Sequence, residues 1–162
     1  MSPRCATTRR GVLGGLSSLM LAAAAPLRAA PESRLPTVAV TKDSNCECCE
    51  AWVAHLRATG FPVEITTGPV APLKAKLGVP RELASCHTAQ VAGYVVEGHV
   101  PADTIVRLLA EKPAAVGLAV PGMPVGSPGM EVPGTEPDTY DVVLFGPTGQ
   151  RTFARYRGAT LL

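Results

Sequence analysis

A chain of 162 residues, 46% apolar and 17% charged, fits one domain. Its formal net charge is +2, but Arg4, Arg9, Arg10 and Arg28 all fall in the first thirty residues, where there is no acid. Beyond residue 30 there remain 11 basic and 13 acidic residues, net −2, so no basic patch argues for nucleic acid.

Residues 1–30 read as a cleaved export signal. Three arginines lead into an uncharged, mostly apolar run over 11–25, and the small residues Ala25, Ala29 and Ala30 offer a cleavage site. The run is too short and too rich in glycine and alanine for a membrane span. Thr8-Arg9-Arg10-Gly11-Val12-Leu13 also resembles a twin-arginine signal, so the route of export stays open. The mature protein would be periplasmic, with no stable membrane span, and would keep Cys46, Cys48, Cys49 and Cys86 while losing Cys5.

After a proline-marked linker over 31–36, the β-branched residues 37–41 predict a first strand. A polar turn over 42–45 follows, and Ser44 or Asn45 is placed to cap a helix that begins at the cysteines. Cys49, Trp52, Val53 and Leu56 fall at i, i+3, i+4 and i+7, one apolar stripe. On that helix Cys46 lies near the stripe, Cys48 points about 100° away, and His55 belongs on the surface. Gly60 ends the helix and residues 61–66 alternate as a second strand. The cysteines thus sit at a helix N-terminus, where free backbone N–H groups and the helix dipole lower a thiol pKa below its ordinary value of about 8.5.

Residues 72–77 form a short basic helix stopped by Gly78 and Pro80, and residues 89–97 predict a third strand, turning at Gly98 into a short fourth at His99-Val100. Pro101 opens a helix with Ile105, Val106, Leu108 and Leu109 on its buried side. The order over 37–111 is β-α-β-α-β-β-α, an α/β fold. Residues 122–131 carry too much glycine and proline for helix or central strand, yet hold Met123 and Met130. Residues 140–145, 147–149 and 151–156 read as strand, turn and strand, a C-terminal β-hairpin.

Two disulfide staples are the ordinary reading of four exported cysteines, but this spacing opposes it. Vicinal Cys48 and Cys49 sit too close for an unstrained bridge, and a Cys46–Cys49 bridge closes too small a loop to constrain the unfolded chain much. Soft thiolate and thioether donors favour Cu(I), since hard cations prefer oxygen and structural zinc rarely takes methionine. The candidate ligands are Cys46, Cys48, Cys49 and Cys86, then Met123, Met130, His87 and His99. Each has an ordinary alternative: the methionines as apolar plugs, His87 as a residue that caps or hydrogen-bonds the start of the strand, or that tunes the neighbouring Cys86 thiol, His99 as a surface residue at a turn, Glu47 and Glu50 as solvated first-turn acids.

Cys46-Glu47-Cys48-Cys49, Ser85-Cys86-His87-Thr88, Val96-Glu97-Gly98-His99-Val100-Pro101 and the segment 122–131 together resemble the CopG-type exported copper-resistance proteins, over residues 37 to about 157. The resemblance implies a thioredoxin-like sheet with flanking helices over 37–162, and copper bound through Cys46, Cys49 and Cys86 first, then Cys48, then Met123 and Met130. It implies a role in copper tolerance or copper redox handling, with copper ions as the partner. A metal chaperone is a further reading, in which the methionine loop is a transfer surface and a copper exporter or other envelope copper proteins are the partners. Three or four thiolates can bridge more than one Cu(I), so a polynuclear site is an expectation. Thioredoxin-type enzymes share the Cys46-x-x-Cys49 spacing, which keeps open an envelope thiol-disulfide oxidoreductase with Cys46 and Cys49 as its redox pair. Such enzymes place a proline before the third strand, and this chain has Cys86-His87-Thr88 there instead.

Overall fold

The computed structural model describes residues 35–162; the export segment expected over 1–30 and most of the linker expected over 31–36 lie outside them. The described residues form one eight-stranded sheet with three α-helices. None of these helices is long and apolar enough to cross a membrane.

Strand β1 (Val38–Lys42) leads through a turn into helix α1 (Glu47–Ala58) and returns as β2 (Val63–Thr67), parallel to β1. The apolar stripe does what its spacing requires: Cys49, Trp52, Val53 and Leu56 are all fully buried. Gly60, at φ +98°, closes α1 in a Schellman arrangement, with the N–H of Phe61 bonded to the carbonyl of Leu56 and that of Gly60 to Arg57. The start of α1 differs from expectation. Cys46 itself is the N-cap, its side chain makes no capping bond, and neither Ser44 nor Asn45 takes that place.

Helix α2 (Val70–Lys76) and a single 3₁₀ turn (Arg81–Leu83) precede β3 (His87–Val91). The strand expected over 89–97 is two strands: β3 and β4 (Tyr94–Glu97) pair antiparallel around Ala92-Gly93, both at positive φ. Alanine rarely adopts that conformation, so the turn carries no ordinary sequence mark. Strand β4 therefore takes the place expected for a short strand at His99-Val100.

Helix α3 (Ala102–Glu111) buries Ile105 and Leu108, but Val106 faces solvent, and Ala102 and Thr104 complete the buried side. Strand β5 (Gly117–Ala119), which composition conceals, pairs parallel to β4. Three residues are too few to show a period. Strands β6 (Thr139–Gly146), β7 (Gly149–Arg157) and β8 (Thr160–Leu161) follow, each antiparallel to its predecessor. The sheet order is β2-β1-β3-β4-β5-β6-β7-β8.

Alternation along the central strands divides the interior. Val96 and Leu118 face the larger cluster with Trp52, Ile105 and Leu108, while Val95 and Ala119 face a smaller one with Val79, Leu83 and Phe145. Both faces of the centre are covered, at about 1.5–3 kcal/mol for each large side chain fully buried. The site is positioned by ladder register: Lys42, at the end of β1, pairs with His87, at the start of β3. That pairing brings Cys86 to the turn that precedes α1.

Candidate metal centre

The four thiol positions converge. The sulfur atoms of Cys46, Cys48, Cys49 and Cys86 all lie within 4.8 Å of one another. Cys46 and Cys49 are joined as a disulfide, with Cα atoms 5.3 Å apart, and Cys48 and Cys86 are free. Cys48 Sγ sits 3.5 Å from Cys46 Sγ and 3.9 Å from Cys86 Sγ. This corrects the expectation that Cys48 points away from its neighbours. Cys46 precedes the helix with extended backbone (φ −92°, ψ 93°), so the angle a helical wheel assigns between 46 and 48 does not apply.

Cys86 is also the corner of a second group, with His87 and His99. His99 Nε2 lies 3.0 Å from Cys86 Sγ, and its Nδ1 lies 2.8 Å from the carbonyl of Pro128. A carbonyl only accepts, so Nδ1 carries the proton and the Nε2 lone pair is left facing the thiol. His99 is fully buried, which corrects its assignment to an exposed turn. His87 is fully buried as well, with Nδ1 3.2 Å from Cys86 Sγ and its ring 4.3 Å from that of Trp52. Trp52 is held in turn by its indole N–H, which donates to the carbonyl of Val100 at 2.8 Å. His87 Nε2 has no partner among the described residues.

Burial holds both imidazoles below the ordinary histidine range, His87 down to about 3, with His99 and Lys74 adding to its shift. Both are neutral at pH 7, the form that binds metals. The Cys86 thiol moves the other way, to about 11, pushed up by burial and then by Cys48. Cys86 precedes a strand and lies outside the helix N-terminus for which a lowered thiol pKa is expected. Thiols this closely packed resist ionising together unless a cation compensates them.

Met123 is 53% exposed and lines an open groove with Asp43, Ser44, Asn45, Cys46, Glu47, Cys48 and Cys86. Met130 is half-buried and is not among the groove's lining residues; its backbone closes the loop by bonds to Gly126 and Ser127. His55 is half-buried rather than a surface residue, and its Nε2 accepts the N–H of Ala102, the first residue of α3, at 3.1 Å. Sequence reasoning missed Trp52 as a wall of the site and the Pro128 carbonyl as the group that orients His99. The only sequence mark of the latter is the glycine, proline and methionine content of its loop.

These histidines predict an acid sensitivity. The unfolded chain takes up a proton at each near the ordinary pKa of about 6.5, whereas folded His87 resists to about 3. Stability present above pH 6.5 is therefore lost as pH falls toward 3, at about 1.4 kcal/mol per unit for this residue. His55 and His99 shift in the same direction. The reduced, metal-free protein should lose about 2 kcal/mol or more between pH 7.5 and 5.0 by urea unfolding, with His87→Gln flattening the dependence. Equal stability at the two pH values would contradict it.

A family model described as "Protein of unknown function, DUF411" matches residues 83–130, a span that holds Cys86, His87, His99 and both loop methionines. Two solved structures, named "Copper resistance protein copG- Form 1" and "Copper resistance protein copG- Form 2", are each 45% identical to this chain, with TM-scores of 0.71 and 0.70. They cover 76% and 75% of this chain, which covers 99% and 98% of theirs. The chain belongs to the CopG-type copper resistance family. No curated protein matches it. Membership in the CopG type supports a copper-related function, and among the described residues the groups Cys46, Cys48, Cys49, Cys86 and Cys86, His87, His99 could hold a metal ion.

Proposed function

We propose that this chain is an exported periplasmic protein that binds Cu(I) through Cys46, Cys48, Cys49 and Cys86, with His99 and His87 at the inner end of the site and Met123 at its mouth. One observation carries the reading: four sulfur atoms lie within 4.8 Å of one another. Metal–thiolate bonds of about 2.3 Å put two sulfur ligands of one ion roughly 3.7–4.6 Å apart. The Cys48–Cys86 separation of 3.9 Å falls in that range. Soft sulfur donors with neutral imidazole favour Cu(I). Four sulfurs plus a histidine nitrogen exceed what one Cu(I) takes, so the site has donors enough for more than one ion. Cys46 and Cys49 ligate only as free thiolates, which ties loading to the thiol state. Met130 belongs to the loop that frames the site.

The sheet supports a thioredoxin-like reading of the domain over 37–162. Its first part runs β2-β1-β3-β4, with β1 and β2 parallel and β3 antiparallel to both neighbours, and Cys46 and Cys49 at the β1–α1 junction. In this family role the protein serves copper tolerance or copper redox handling, with an exporter or other envelope copper proteins as partners. A second reading, envelope thiol-disulfide oxidoreductase, is favoured by one observation, the Cys46–Cys49 disulfide itself.

Metal analysis of protein purified without oxygen from copper-supplemented cells separates the two. The copper reading expects more than one copper per chain, silent in electron paramagnetic resonance. Copper-free protein that reduces insulin disulfides at a catalytic rate would replace it with the second reading.

A further inference from the structure

We propose that the buried Lys74–Glu97 ion pair is a positioning device for Cys86, gripping the chain on both sides of that residue so that its sulfur stays in the cluster. The proposal rests on the copper reading of the site. Glu97 is fully buried on β4. Its Oε1 accepts from Lys74 Nζ at 2.5 Å and from the backbone N–H of Ser85 at 2.6 Å, and its Oε2 accepts from Thr88 Oγ1 at 2.7 Å. Lys74 Nζ donates to the same Thr88 hydroxyl at 2.9 Å. Ser85 and Thr88 bracket Cys86 and His87, so one carboxylate fixes both ends of that dipeptide.

Two further contacts narrow the freedom of Ser85. Its hydroxyl donates to the carbonyl of Gly122 at 2.5 Å, which links it to the backbone beside Met123. Gly98, at φ +71°, has no room for a side chain, since a Cβ there would stand 2.5 Å from Ser85 Oγ and 2.6 Å from the carbonyl of Val120. The segment that carries Cys86 is thus held by α2, β4 and the methionine loop together.

Stability alone does not account for a charge pair here. Desolvating a carboxylate and an ammonium costs several kcal/mol per ion, and an apolar pair of the same shape often serves as well or better. Every other ion pair among the described residues has an exposed or partly exposed carboxylate; Glu97 alone is fully buried. What this pair supplies is geometry. It supplies it to the one thiol of the cluster that lies outside the 46–49 segment and touches both Cys48 and His99.

The test is a double-mutant cycle in the full mature chain. Glu97→Gln should weaken Cu(I) affinity about 10–100-fold, the usual effect of removing an outer partner of a ligand, measured by anaerobic competition with a chromophoric chelator. In a Cys86→Ser background the same substitution should leave copper affinity unchanged while still lowering the unfolding temperature. A merely structural strut predicts the opposite: equal loss in both backgrounds, or loss of stability with copper affinity intact. Either result would overturn the proposal. In the reduced, metal-free protein, alkylation followed by mass spectrometry should show Cys86 reacting severalfold faster in Glu97→Gln, with Cys48 unchanged; unchanged Cys86 reactivity would also overturn it. That arm decides the matter even if the wild-type chain takes up no Cu(I), an outcome that defeats the copper reading alone. Lys74→Met, altering a side chain 11% exposed, makes the same predictions if Glu97→Gln does not fold.

Discussion

Replacing Cys46 by serine and Cys49 by alanine should weaken Cu(I) binding by at least about 100-fold, or about 2.7 kcal/mol, and oxidising the wild-type protein should reproduce most of that loss. The two treatments share one consequence: they remove the same two thiolates. What remains is Cys48 and Cys86 at 3.9 Å, with His99 Nε2 beside Cys86, enough for one ion and too few donors for several. Alanine is chosen at 49 because that side chain is fully buried, and a hydroxyl left there without a partner would cost about 1–3 kcal/mol for reasons unrelated to copper. Unfolding does not confound the result. The loop closed by the bridge spans a sequence separation of three, and chain entropy assigns such a loop only about 2 kcal/mol. Anaerobic competition titrations should show the reduced wild type taking up more than one equivalent and the other two samples no more than one. Equal uptake by all three would remove Cys46 and Cys49 from the ligand set.

That experiment depends on a grouping only half legible in the amino-acid sequence. The stripe Cys49, Trp52, Val53, Leu56 and the stop at Gly60 follow from helical period and backbone sterics, and all four stripe residues are buried. The meeting of Cys86 with the 46–49 segment is a matter of register, Lys42 opposite His87, and register is a tertiary property. Helical periodicity misplaces Cys48 because it extends the helix one residue too far, through an N-cap whose backbone is extended. A histidine after a turn glycine ordinarily faces water, which misplaces His99; here the loop that carries Pro128 folds over it. Glu97 is legible in principle. A carboxylate following Val95-Val96 in a buried strand requires a partner, and the partner, Lys74, stands 23 positions earlier, beyond any local pattern.

The loop over the site predicts the second large effect. Gly129→Ala should cost roughly 2–4 kcal/mol, from overpacking together with left-handed backbone strain. The unfolding temperature should fall by roughly 10 °C, and Cu(I) binding should weaken with it. Gly129 sits at φ +85°, and a Cβ there would stand 2.7 Å from the amide nitrogen of Trp52 and 2.9 Å from the carbonyl oxygen of Cys48. Both are backbone atoms of the first turns of α1, which cannot yield as a flexible side chain would, so the loop must lift. Lifting it draws the Pro128 carbonyl from His99 Nδ1, now 2.8 Å away. Without that acceptor the His99 proton is free to move to Nε2, the nitrogen that faces Cys86. Gly134→Ala is the control. Gly134 has a similar φ of +77°, and a Cβ there would meet nothing within 4 Å, so it bears the backbone strain of about 1–2 kcal/mol without the clash. A larger loss of copper affinity in Gly129→Ala than in Gly134→Ala shows that the loop's seat on α1, and not its backbone strain, sets the site; equal affinities in the two variants would make the loop a bystander to metal binding.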